Sequence, residues 1–145
     1  MAKETFSHLD PDGNARMVDI SEKDDSKRTA RARSTVFMAK ETIAALKAGD
    51  IPKGDVFAVA RVAGIQAAKR TGEIIPLCHP LMLSSVKVEF ETSEEKVTID
   101  AEVTTVGRTG VEMEALTACS VSALTIYDMC KSMDKRIKIT DLVLI

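Results

Sequence analysis

The sequence predicts an α+β domain, an antiparallel sheet with helices packed on one face. Three observations carry this. Several segments alternate in polarity as half-buried strands do, others show helical periodicity, and along the 145 residues they fall in the order strand, helices, strand, strand, helix, strand. That order fits the split βαβ, or ferredoxin-like, plan.

Residues 1–25 read as a weakly ordered segment, with a turn at Asp10-Pro11-Asp12-Gly13-Asn14 and a polar run from Glu22 to Ser26; residues 26–145 read as a single catalytic domain. From Arg28 to Met38 the chain alternates, setting Ala30, Ala32, Ser34, Val36 and Met38 against Arg31, Arg33, Thr35 and Phe37, a strand with one buried face. A short helix follows over about 39–48 and closes at Gly49. Asp55 is placed to cap the next helix, Val56 to Arg70. That helix is apolar nearly all round, so it is expected to be largely buried, and its apolar excess argues for oligomerisation. A loop with two prolines covers 71–82. Strands Ser84 to Thr92 and Lys96 to Val106 join at Ser93-Glu94-Glu95, a long helix runs from Gly110 to about Met133, and Arg136 to Leu144 is the last strand.

Composition excludes several function classes. A net charge of −2 gives no basic field for nucleic acid or an anionic membrane. Aromatics at 3% and the absence of Trp argue against a base-stacking surface. Three cysteines without a CxxC pair point to a reduced, cytoplasmic protein, and no apolar run approaches a membrane span. No histidine or cysteine pair has metal-ligand spacing, so no metal site is expected.

The chemistry is expected around the last helix. After Glu114 come thirteen uncharged residues, and then Asp128 and Lys131 stand three apart, which places them side by side on a helix. An acid and an amine at the end of a mostly buried helix are costly unless they pair or transfer protons; a solvated surface pair is the alternative. Pro76 and Pro80 stiffen the loop that carries Cys78 and His79. His79 reads as a satisfied loop histidine or a site member, and Cys78 as a small buried side chain more than a nucleophile. Thr109 and Glu112 make a capping-box pattern, while Glu112 and Glu114 read as first-turn acids or ligand contacts. Lys53 can reach a ligand phosphate, and Lys69 suits a helix C-terminus. Lys53, Lys69, His79, Asp128 and Lys131 all lie at the ends of otherwise apolar elements, where sites are commonly built.

Four motifs, MVDIS at 17–21, KGDVFAVARVAGIQAAKRT at 53–71, IPLCHPLM at 75–82 and TGVEMEALTACSVSALTIYDMCK at 109–131, cover most of the chain. On these the sequence resembles the family of molybdenum cofactor biosynthesis protein C, the cyclic pyranopterin monophosphate synthases. The resemblance implies a ferredoxin-like subunit in a homohexamer built as a trimer of dimers. It implies the substrate (8S)-3′,8-cyclo-7,8-dihydroguanosine 5′-triphosphate, and cyclic pyranopterin monophosphate and pyrophosphate as products. No cofactor is expected, and the resemblance leaves open whether magnesium accompanies the triphosphate. Resemblance and chemistry together assign Asp128 as general acid or base, Lys131 as its tuning partner and proton donor, and Lys53 as a proton donor or holder of phosphate charge. Leu77, Cys78, His79, Glu112, Met113 and Glu114 are expected to bind substrate, Glu114 through the guanine-type N–H edge; Arg28 and Lys69 are secondary candidates for the triphosphate. The site is expected to be assembled between protomers, with Lys53 and Asp128 as the two contributions to be tested by mixing. Family members usually continue into a Gly/Ser-rich, lysine-bearing tail that contributes to the site. The sequence stops at Ile145, so a truncated chain with an incomplete site is expected. A nucleotide-binding module without turnover, and a structural oligomer sealed by Asp128 and Lys131, are the rival readings.

Overall fold

The computed structural model describes residues 6–145; the first five residues of the segment expected to be weakly ordered lie outside the described residues. Within residues 6–25 the expected turn forms around Asp10, whose Oδ1 accepts the N–H groups of Asp12 and Asn14 at 3.0 and 2.8 Å. The elements that follow are β1 (Ser26–Phe37), α1 (Lys40–Ala48), α2 (Val56–Lys69), α3 (Thr71–Ile74), β2 (Leu83–Thr92), β3 (Lys96–Gly107), α4 (Glu112–Cys130) and β4 (Lys138–Leu144).

The four strands form one sheet in the order β2-β3-β1-β4, every neighbouring pair antiparallel, which is the ferredoxin-like arrangement. α4 packs over β1, β3 and β4, while α2 packs on α4 and β2, so the long helices cover one face. The alternation of β1 works as read: Ala30, Ala32, Ser34, Val36 and Met38 are all buried, and meet Val97, Ile99, Val103 and Ile126 in the core. Thr35, expected outside, is buried as well, where the β1–β4 register shifts. The outer face carries cross-strand pairs, Arg31 to Glu102 at 2.8 Å and Arg33 to Asp100 at 2.6 Å. No helix among the described residues is long and apolar enough to cross a membrane.

Several expectations need correction. α2 is not largely buried: only one side meets α4 and β2, and Val59 and Val62 stand exposed on the other. The loop expected over 71–82 begins with a helical turn, α3. Thr71 Oγ1 donates to the Ala67 carbonyl at 3.0 Å, and Gly72 lies so close under Pro80 that a Cβ there would fall 2.9 Å from its Cα. The capping box is absent: α4 starts at Glu112, and neither Val111 at its N-cap nor Thr109 caps it through a side chain. Glu112 instead folds back over Gly110, where a Cβ would collide with its carboxylate. At the other end α4 stops at Cys130, short of Met133, and β4 starts at Lys138, after a turn in which Asp134 Oδ1 accepts the Arg136 N–H at 2.8 Å.

The α2–α4 contact sets the geometry that matters for function. Gly64 faces Ala118 and Ser122, and Ser122 Oγ, fully buried, donates to the Ala60 carbonyl at 2.9 Å. Small residues on both helices let their backbones come close. α2 runs opposite to α4, so the loop before α2 arrives beside the end of α4.

Candidate active site

At that meeting point Asp55 caps α2 by accepting the Ala58 N–H at 3.1 Å, which fixes the loop carrying Lys53. Lys53 Nζ donates to the Asp128 carbonyl at 3.1 Å and lies 3.4 Å from Asp128 Oδ2, while Lys131 Nζ lies 3.1 Å from Oδ1. One carboxylate thus sits between two ammonium groups, each on its own oxygen. The hydrogen bond from Lys131, and then the charge of Lys53, hold the Asp128 carboxyl below the usual carboxylate value of 3.8. The pairing of Asp128 with Lys131 is as read from their spacing. The burial expected for them is not there: their side chains are 59% and 56% exposed, because the last turn of α4 points them away from the core. Lys53 and Asp128, expected to meet across an interface, meet within one chain.

The start of α4 carries the second cluster. Here a cavity of about 440 Å³ is lined by Ile75, Leu77, Cys78, His79, Glu112 and Met113 among others. Glu114 lies beneath, 2% exposed, its Oε1 3.7 Å from the Cys78 thiol and its Oε2 without a partner among the described residues. Burial pushes the Glu114 carboxyl up, and burial followed by the Glu114 charge pushes the Cys78 thiol up. Cys78, expected as a small buried side chain, is half-buried, and its thiol donates to the Glu114 carboxylate. His79 gives its Nε2–H to the Val18 carbonyl. Arg28, on β1, donates to the Gly107 carbonyl at 3.2 Å, and Lys69 ends α2 beside Leu81 and Met82.

The structure thus separates most of the expected residues into two groups, with Arg28 and Lys69 in neither. Lys53, Asp128 and Lys131 stand at one end of α4, and Leu77, Cys78, His79, Glu112, Met113 and Glu114 at the other. Asp128 stands fourteen residues after Glu114 along the helix, about 21 Å away. Among the described residues no three His, Cys, Asp or Glu side chains come together as a metal site. Sequence reasoning missed Asp134, which is buried and accepts from the Ala39 N–H at 2.8 Å and Thr42 Oγ1 at 3.1 Å, tying the chain just beyond Lys131 to the start of α1. Burial alone would raise its pKa, but these hydrogen bonds outweigh it and keep the carboxyl below 3.8. Its only signal was an acid close after a helix end.

A ferredoxin-like domain with a lysine–aspartate–lysine cluster at one end of its long helix and a cavity at the other has the charged groups and the recess of an enzyme. It belongs to the MoaC family, whose model matches residues 17–145. It is 54% identical over 140 residues to a protein of Peptoclostridium acidaminophilum, covering 97% of this chain and 89% of that one. A protein of Listeria monocytogenes serotype 4a (strain HCC23) is 54% identical, with 96% and 88% covered, and one of Roseiflexus sp. (strain RS-1) is 58% identical over 136 residues, with 92% and 86% covered. All three are named cyclic pyranopterin monophosphate synthase.

Proposed function

We propose that this chain is a cyclic pyranopterin monophosphate synthase, a lyase of molybdenum cofactor biosynthesis, with residues 26–145 as its catalytic domain. It converts (8S)-3′,8-cyclo-7,8-dihydroguanosine 5′-triphosphate to cyclic pyranopterin monophosphate. The observation that carries the reading is the Asp128 carboxylate held between Lys53 and Lys131.

The purine-derived rings must open and reclose as a pterin, which requires protons to be taken from and given to ring atoms. Asp128, ionised at neutral pH, accepts one, and Lys131 donates one. A sugar hydroxyl then attacks the α-phosphorus; the new P–O bond closes the cyclic phosphate as the bond to pyrophosphate breaks, and the hydroxyl proton is given up to the leaving pyrophosphate. Lys53 places its charge on the phosphate oxygens as this happens. The cavity beside Leu77, Cys78 and Met113 takes the ring system, and Glu114, in contact with Cys78, binds its N–H edge through Oε2, which has no partner among the described residues. Arg28 and Lys69 meet the triphosphate, and any magnesium arrives with it. Because about 21 Å separates the two clusters in one chain, the lysine–aspartate–lysine cluster of one protomer works on a ring held by another. The exposed apolar side of α2 supports an interface, in the homohexamer of a trimer of dimers. The three free cysteines suit a cytoplasmic setting.

The test is turnover of the cyclised triphosphate with pterin and pyrophosphate measured together. The proposal expects them in equal amounts. Saturable binding without pyrophosphate release would make the chain a binding module.

A further inference from the structure

The segment before β1 is held against the ring cavity from two sides. His79 gives its Nε2–H to the Val18 carbonyl. Arg108, in the loop before α4, lies 3.4 Å from the Ser21 carbonyl through Nη1 and 3.6 Å from Asp25 through Nε. Upstream the chain doubles back on itself. Leu9 bridges to Ala15, the Arg16 N–H donates to the His8 carbonyl at 2.8 Å, and Arg16 Nε donates to the Ser7 carbonyl at 3.1 Å. This small hairpin brings His8 to the cavity wall, with Leu77, Glu112 and Met113.

The His8 ring has a defined polarity. Its Nδ1 lies 3.2 Å from the Arg16 carbonyl, and a carbonyl can only accept, so Nδ1 carries the proton. When the ring is neutral this leaves Nε2 as the acceptor, and it has no partner among the described residues. The surrounding wall is mostly apolar, with Ile75, Leu77 and Met113, and the Glu112 carboxylate in it repels anions, so this cavity suits a hydrogen-bonding ring system over a phosphate.

We propose that residues 6–25 form a strap that completes the cavity, in which His8 accepts an N–H of the bound ring system and His79 is the positioning residue that holds the strap through Val18. The proposal rests on the reading that this cavity takes the ring end of the cyclised nucleotide.

Two measurements test it. Amide hydrogen exchange of residues 9–16 reports the strap without reference to turnover. His79→Ala should speed that exchange about 5- to 10-fold, the loss of one hydrogen bond, and His79→Gln, which can still present an N–H, should restore part of the protection. Equal exchange in the alanine variant and the parent overturns the positioning role. Equilibrium binding then tests His8. His8→Ala should bind the cyclised triphosphate on the order of 10-fold more weakly and inorganic triphosphate unchanged. An unchanged affinity for the nucleotide, or an equal loss for both ligands, overturns the ring contact while the parent still turns over. A parent chain that neither binds nor converts the nucleotide overturns the functional reading and the His8 assignment with it, and leaves the strap to be decided by exchange alone.

Discussion

Gly64→Ala should destabilise the protein, although alanine is the better helix former. The added Cβ would lie 2.2 Å from Ser122 Oγ, 3.1 Å from the Ala118 carbonyl oxygen and 3.3 Å from Val88 Cγ2. The Ala118 oxygen moves only if α4 moves, and Ser122 is fully buried, so its hydroxyl can swing away only by giving up its bond to Ala60. Overpacking of this kind costs about 1–3 kcal/mol, and the lost hydrogen bond about 1. Better helix propensity returns roughly 1. The net expectation is a loss of about 1–3 kcal/mol, read from urea unfolding at fixed chain concentration, with the denaturant slope checked for constancy. Pushing α2 from α4 also displaces Lys53 from Asp128, so turnover should fall by up to ~100-fold. The double change with Ser122→Ala should be less destabilising than the two single changes added together. A neutral or stabilised Gly64→Ala protein, with no coupling to Ser122, would refute the close-contact account.

Lys131→Ala should leave the fold intact, since the side chain is mostly in solvent, while product formation falls ~100- to 10,000-fold; unfolding or dissociation in a melting and sedimentation test would instead make the pair structural. Glu114→Gln removes a charge that burial opposes. Since the native carboxyl titrates above its ordinary 4.5, the stability linked to it is present below that value and is lost as pH rises through the native pKa. The glutamine variant should therefore flatten this part of the melting-temperature profile and weaken nucleotide binding by about 1.5–3 kcal/mol; an unchanged profile and affinity would count against both roles. Mixed under subunit exchange, Lys131→Ala and Glu114→Ala chains should regain part of their activity, whereas Lys53→Ala mixed with Asp128→Ala should stay inactive because those residues belong to one chain's cluster. A dead first mixture, with mixed oligomers verified by mass spectrometry, would end the shared-site proposal.

β1 and β3 were legible because each has one buried face, and a period of two survives in the sequence wherever that holds; β4, at the sheet edge, has no fully buried residue. Asp128 and Lys131 were legible for a similar reason, since a spacing of three on a helix is a local fact. Lys53 was visible only as a lysine at an element end; its contact with Asp128 depends on how α2 meets α4, which no local pattern encodes. The same limit explains α3, whose short turn relies on Gly72 fitting under Pro80, and α4, whose start matched a capping box that the fold of Glu112 over Gly110 displaces. The burial of α2 was overestimated because composition records that a helix is apolar without recording which side has a neighbour. Glu114 read as a first-turn acid or a ligand contact, and only the packing of the Cys78 loop over it reveals a buried carboxyl with an oxygen unpartnered among the described residues.

The close fit of Gly64 against Ser122 has a consequence for the length of the chain as well as its composition. It locks the rotation of α4 relative to α2 six positions before Asp128. One residue inserted between Ser122 and Asp128 would turn the aspartate by about 100° and carry it about 1.5 Å along the axis. The Lys53 ammonium, fixed by the capped start of α2, would then face a different side chain. Spacing in this stretch is therefore constrained independently of residue identity, and homologous chains should vary in α4 by substitution while insertions and deletions gather in the loops.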